Sequence, residues 1–82
     1  MSADRIVLEV VEQLLDFEPG KLTVGTALTE IEGWDSVNQM RVLVYLEREL
    51  ASSLDYDRFM KAESLADVSA LVAETGADGG QA

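Results

Sequence analysis

Ser36 is the residue of this sequence best placed to do chemistry. It lies in the segment GWDSV, residues 33–37, directly before an apolar helical pattern. Asp35 is a good helix N-cap, and if it takes that role, Ser36 becomes the first helical residue with a free hydroxyl. Such a hydroxyl lies where the helix dipole and unpaired backbone N–H groups favour a phosphate. Alternatively, Ser36 itself caps the helix, because SVNQ with Gln39 fits a capping box.

The composition excludes most catalytic roles for this serine. The chain has 82 residues with no cysteine and no histidine, so neither thiolate chemistry nor a Ser-His-Asp triad is available. A hydrolase that used Ser36 would therefore lack a base. Nothing in the pattern places two carboxylates in an apolar pocket, where their pKa values would separate. The sequence predicts that the protein is not an enzyme.

One acidic pair suggests a metal site, but its spacing is wrong. Asp55 and Asp57 resemble the start of a calcium-binding loop, yet Met60 occupies the required glycine position. Ala66 occupies the position of the closing glutamate. We therefore expect a capped helix at Asp55 and no metal site.

The charge of the chain limits its partners. Sixteen acidic residues against six basic ones give a formal net charge of −10. Such a surface repels nucleic acids and anionic membranes and attracts basic patches on proteins. No basic leader and no apolar run of membrane-spanning length is present. We expect a complete, monomeric, cytoplasmic protein without nucleic-acid or membrane partners.

Apolar periodicity predicts an all-α fold, a small bundle of three main helices and one short helix with a long first loop. The predicted helices span residues 4–16, 36–50, 55–61 and 65–75. A short helical turn is expected near residues 27–31, and Gly76 is expected to end the last helix. This predicts one domain over residues 1–76 and a disordered tail over 77–82.

The same periodicity predicts the core. Asp4 is expected to cap the first helix, with Glu9, Glu12 and Gln13 on its solvent face. Three apolar residues of the first loop are expected to plug into the core: Leu22, Leu28 and Ile31. The helices are expected to contribute Val7, Val11, Leu43, Leu46, Val68 and Leu71.

The predicted second helix carries a further apolar stripe outside its core face. At about 100° per residue, its core face contains Gln39, Leu43, Leu46 and Leu50, with Val42 beside them. Val37, Met40 and Val44 lie a quarter turn or more away. This stripe is either covered by the short third helix or exposed for docking, and the sequence does not choose.

Two arginines accompany the stripe. Arg41 and Arg48 lie beside it, and they either influence the choice of partner or pair with Glu47, Glu49 or another nearby acid. Trp34 is either a binding anchor or a cover over the corner between loop and helix, and the second is favoured because large aromatic residues are mostly buried.

Residues 33–50, GWDSVNQMRVLVYLEREL, resemble the modification site and second helix of acyl carrier proteins. The shared pattern is Asp-Ser-apolar, here Asp35, Ser36 and Val37, followed by a helix with an apolar strip. The resemblance extends over residues 4–75 and includes the long first loop, the short third helix and the acidic balance. It implies that Ser36 carries 4′-phosphopantetheine, attached from coenzyme A by a separate magnesium-dependent transferase, so we expect Asp35 to cap the helix and leave the Ser36 hydroxyl exposed. The thiol of that group would hold an acyl or aminoacyl unit as a thioester.

The resemblance also implies partner-binding positions. Asp35 would contact the phosphopantetheinyl transferase, and the apolar stripe would contact a loading enzyme, an acyltransferase or a ketosynthase. The implied partner-binding residues are Val37, Met40 and Val44. From their position beside this stripe, we expect three charged residues to tune partner recognition: Arg41, Glu47 and Arg48.

The departures from the family pattern point to a particular pathway class. Arg41 and Arg48 interrupt a helix that is usually acidic in fatty-acid carriers, and Asn38 is neutral. These features favour a discrete carrier of a polyketide or related secondary-metabolite pathway, such as antibiotic biosynthesis. The aspartate before Ser36 points away from peptidyl carriers, which tend to have histidine there. The alternative function is an unmodified helical adaptor that binds a partner through the same stripe.

Overall fold

Four α-helices form the framework of the computed structural model, which describes residues 2–75. They are α1 (Ala3–Leu15), α2 (Ser36–Leu50), α3 (Tyr56–Lys61) and α4 (Leu65–Ala73), and a 3₁₀ turn spans Leu28–Glu30. α1 packs against both α2 and α4, and α3 packs against α4. The described residues contain no β-strand, and the predicted all-α bundle with a long first loop is confirmed. No helix in this part of the chain is long and apolar enough to cross a membrane.

The helix starts show which caps the chain uses. Asp55 caps α3 and accepts a hydrogen bond from the Arg58 N–H at 3.0 Å, as expected. Ser64 caps α4 in the same way, accepting from the Asp67 N–H at 3.3 Å. The predicted cap of α1 is wrong, because Ser2 accepts from the Arg5 N–H at 3.1 Å and Asp4 already lies in the first turn.

Two of the four helices end earlier than the sequence predicts, whereas α2 and α3 end at the predicted residues. α1 ends at Leu15 because Asp16 adopts a left-handed conformation with φ 65°, before Pro19 and Gly20 are reached. α4 ends at Ala73 rather than Thr75, with Glu74 as its C-cap. The predicted stop at Gly76 and the predicted tail over 77–82 lie outside the described residues.

Glu12 lies on the buried side of α1, and the prediction that it faces solvent is wrong. Only 8% of the residue is exposed. Its carboxylate oxygen Oε2 accepts a hydrogen bond from the Gly20 N–H at 3.1 Å. The first loop therefore folds back over α1, and this bond satisfies a carboxylate that burial would otherwise make costly.

The first loop is tied to the segment that leads into α4. The Leu28 N–H donates to the Glu63 carbonyl at 2.9 Å, and the Leu65 N–H donates to the Thr26 carbonyl at 3.1 Å. The three predicted plug residues of this loop, Leu22, Leu28 and Ile31, are buried. These two backbone hydrogen bonds hold the long first loop in place, and so they help to fix the position of the residues that lead into α2.

The predicted core is confirmed. All six residues expected in it are buried: Val7, Val11, Leu43, Leu46, Val68 and Leu71. On the core face of α2, Gln39 and Leu50 are only half-buried, because they lie near the two ends of the helix. Phe59 of α3 is fully buried, and Arg58 forms an ion pair at 2.6 Å with Glu74 beyond the end of α4.

Candidate functional site

The N-terminus of α2 is capped by Asp35. Asp35 has an extended conformation, and its Oδ1 accepts a hydrogen bond from the Asn38 N–H at 2.8 Å. The carbonyl of Asp35 accepts the first helical bond from the Gln39 N–H at 2.8 Å. The alternative in which Ser36 caps the helix through a box with Gln39 is therefore wrong.

Ser36 is consequently the first residue of α2. It is exposed to solvent, and its hydroxyl forms no hydrogen bond within residues 2–75. The first turn of α2 contains no acidic residue, and the carboxylate nearest in sequence is the capping Asp35 just before it. The hydroxyl thus lies at a position that suits a covalently attached anion.

A side-chain hydrogen bond fixes the corner that precedes this serine. Gly33 has a φ of 90°, which favours glycine, and its carbonyl accepts a hydrogen bond from Asn38 Nδ2 at 2.8 Å. Trp34 is half-buried against the core and covers the corner, as the sequence favoured. The role of Asn38 was not predicted. The sequence did contain a signal for this role, an amide side chain three residues after the Asp35 cap. In a capping box, the side chain at this position hydrogen-bonds back to the backbone at the start of the helix.

The second apolar stripe of α2 is exposed. Val37, Met40 and Val44 are 68%, 37% and 47% exposed, so α3 does not cover them. Together with Ser36, Arg41 and Tyr45 they line a shallow groove. Tyr45 was not predicted here, although its position directly after Val44 places it at the edge of the stripe.

The two arginines beside the groove keep their charges free of acidic partners within residues 2–75. Arg41 Nη1 donates a hydrogen bond to Asn38 Oδ1 at 3.0 Å. The guanidinium of Arg48 lies 5.6 Å from the centre of the Tyr45 ring, within cation–π range. Neither forms an ion pair with Glu47 or Glu49, so the predicted alternative of ordinary pairing is wrong.

Glu47 has an internal contact. Its Oε2 accepts a hydrogen bond from the Leu54 N–H at 2.9 Å, and it does not line the groove. This bond holds the loop that follows α2 against the helix. The sequence did not reveal it, because the bond depends on the path of a connection with no periodic pattern.

A phosphopantetheine attachment site model matches residues 5–72. The chain belongs to this phosphopantetheine attachment site family. The match spans the Asp35–Ser36 corner and all of α2. No curated protein matches the chain.

As a member of this family, the protein carries a covalently attached 4′-phosphopantetheine group and is a carrier rather than an enzyme. Such a carrier interacts with a phosphopantetheinyl transferase and with enzymes that handle acyl groups. The N-terminus of α2 fits the group, since the Ser36 hydroxyl is exposed and forms no hydrogen bond within residues 2–75. The chain itself contains no cysteine, so the thiol must come with the phosphopantetheine.

Proposed function

We propose that Ser36 is the residue that carries the 4′-phosphopantetheine group. The observation that supports this is the capping of α2 by Asp35, which leaves the Ser36 hydroxyl exposed and without a hydrogen bond. A phosphodiester on this oxygen would lie at the positive end of the helix dipole, close to backbone N–H groups of the first turn.

The other serines within the matched region are worse candidates. Ser64 accepts the capping bond of α4, and Ser69 is buried with its hydroxyl donating to Asp4. Ser52 and Ser53 are exposed but follow the C-terminal end of α2, where the helix dipole is unfavourable to a phosphate. Ser36 alone among them combines an exposed hydroxyl with a helix N-terminus.

The modification of Ser36 would use groups from both this chain and the transferase. Asp35 Oδ1 is committed to the cap, while its Oδ2 has no hydrogen-bond partner within residues 2–75 and is available to the transferase. The chain has no histidine, the commonest general base, so we expect the base that takes the serine proton to come from the transferase. Once attached, the group supplies a thiol that holds the cargo as a thioester.

The exposed groove on α2 is proposed as the surface that meets partner enzymes. Val37, Met40 and Val44 would supply the apolar contact, and Arg41 and Arg48 would supply charge at its edge. Glu47 would contribute little to partner binding, since its carboxylate accepts a hydrogen bond from the Leu54 N–H. These partners would be a loading enzyme, an acyltransferase or a ketosynthase.

The charge pattern of α2 supports a specialised pathway. The first turn of the helix has no acid, and its last turn contains Arg48. We propose a discrete, monomeric carrier domain over residues 1–76 that serves polyketide or related secondary-metabolite synthesis in the cytoplasm. The alternative, an unmodified helical adaptor, would bind its partner through the same groove but would gain no phosphopantetheine group.

Intact-mass measurement on matched serine variants tests the proposal. The protein is mixed with coenzyme A, magnesium and a broad-specificity phosphopantetheinyl transferase. Ser36→Ala should gain no mass, whereas Ser53→Ala should gain one phosphopantetheinyl group as the wild type does. A full mass gain by Ser36→Ala would show that the group is attached elsewhere.

A further inference from the structure

The part of α2 nearest Ser36 carries a charge opposite in sign to that of the protein. Residues 36–46 contain a single charged side chain, Arg41, in a chain of net charge −10. The groove on this part of the helix is lined by that arginine and by no acidic residue. A partner that docks in this groove therefore contacts a lining whose single charged residue is positive, although Asp35 immediately precedes Ser36 and the protein as a whole is strongly negative.

Arg41 is held in place by an uncharged residue. Its Nη1 bonds Asn38 Oδ1, and Asn38 Nδ2 in turn bonds the Gly33 carbonyl. This chain of contacts orients the guanidinium while its positive charge is left without an acidic neighbour among residues 2–75. An orientated cation costs less entropy to pair with an incoming carboxylate than a freely rotating one.

Arg48 lies two turns further along the same side of α2. Seven residues of helix separate the two arginines by about 10 Å along the axis. Its guanidinium lies over the ring of Tyr45, which is itself exposed. The two arginines thus bracket Val44 and Tyr45. Both sequence neighbours of Arg48 are acidic, but Glu47 bonds the Leu54 backbone, and the exposed Glu49 forms no ion pair with Arg48.

We propose that the partner surface that docks on α2 is apolar at its centre and carries carboxylates at its edge, spaced to pair with Arg41 and Arg48. This inference rests on the proposed carrier function and specifies the partner of that same face. Opposite charges at the edge of an interface fix its register and exclude wrong partners. A basic docking surface would be attracted to the protein at long range but would place like charges beside the apolar contact.

Two synthetic amphipathic helical peptides provide the probe. They share one apolar face and differ only in flanking residues, glutamate in one and lysine in the other. Each is titrated into the ¹⁵N-labelled protein at about 150 mM salt, where the Debye length is about 8 Å and distant charges are screened. Neither titration requires the phosphopantetheine arm, so its outcome is independent of the mass measurement that tests the proposed function.

The acidic peptide should shift the amide signals of residues 37–48 and bind more tightly than the basic one. The Arg41→Glu/Arg48→Glu double variant should weaken acidic-peptide binding roughly fivefold, as two exposed ion pairs imply. The Lys21→Glu/Lys61→Glu variant makes the same change in net charge away from the groove and should leave that affinity unchanged.

Four results would overturn the proposal. They are tighter binding of the basic peptide at residues 37–48, an equal loss in the lysine variant, and no shift with either peptide. The fourth is a concentration-dependent shift of the same amides without peptide, which would show that a second copy of the chain occupies the groove.

Discussion

The side-chain amide of Asn38 donates a hydrogen bond to the backbone carbonyl of Gly33 across 2.8 Å. This bond joins the first turn of α2 to the loop that precedes Ser36. The same side chain accepts from Arg41, so one residue fixes the corner at the serine and orients a cation at the groove. The position of the candidate attachment site therefore depends on a residue two positions further along the helix.

Replacing Asn38 with alanine tests this dependence. The Asp35 cap should survive, because it uses the Asn38 backbone N–H. Loss of the bond to Gly33 should lower the free energy of unfolding by about 1 kcal/mol, measured by urea denaturation. Modification by the transferase should also slow. Gln13→Ala, at an exposed position on α1, is the control, and equal stability losses in both variants would contradict the role given to Asn38.

Substitutions at Asp35 and at Ser36 should have different effects on stability and on modification by the transferase. Asp35→Ala removes the cap and should cost about 1 kcal/mol of unfolding free energy. Ser36→Ala changes an exposed residue without a hydrogen bond and should cost less than about 0.5 kcal/mol. Asp35→Asn keeps a good cap, so any slower modification in that variant reports contact with the transferase. A larger stability loss in Ser36→Ala than in Asp35→Ala would mean that the cap is misassigned.

The two faces of α2 should respond differently to truncation. Leu46 is fully buried, and Leu46→Ala should lower the unfolding free energy by roughly 2–5 kcal/mol. Val44 is exposed, and Val44→Ala should change it by less than about 0.5 kcal/mol. Thermal or urea denaturation distinguishes them. If the two costs were similar, α2 would be rotated from the orientation described above.

The ion pair between Arg58 and Glu74 should give a small dependence of stability on pH. The hydrogen bond from Arg58 lowers the pKa of Glu74, so the folded carboxyl has a lower pKa than the unfolded one. Its contribution is present above the unfolded value of about 4.3 and is lost as the pH falls through the folded pKa. The stability gap between wild type and Glu74→Gln should therefore shrink in acid.

The size of this effect should be modest, because both side chains are exposed to solvent and screened. Glu49→Gln, on the outer side of α2, is the control and should show no matching change. A gap for Glu74→Gln that stayed constant from neutral to acid pH would argue against the pair in solution.

Local signals explain why part of the fold was predictable. The bounds of α2 follow from a strong cap at Asp35 and a long apolar period, and both act within the helix itself. The burial of Glu12 was not predictable, because it depends on a loop that returns to α1 eight residues later. Helical periodicity alone assigns such a residue to solvent.

The candidate site shows the same division. Asp35 and Ser36 have similar capping propensities, and the expected cap at Asp35 is confirmed by a local hydrogen bond to the Asn38 N–H. The exposure of Val44 was left open, since it depends on where α3 packs. That exposure is a tertiary outcome, and no short pattern around Ser36 encodes it.

Locating the attached group within the chain is the most direct test of whether Ser36 carries the phosphopantetheine. The wild-type protein is incubated with coenzyme A, magnesium and a broad-specificity phosphopantetheinyl transferase, and the product is fragmented in a tandem mass spectrometer. We expect a mass gain of one phosphopantetheinyl group, with the fragments placing it on Ser36. No mass gain, or a group located on Ser52 or Ser53 at the opposite end of α2, would contradict it.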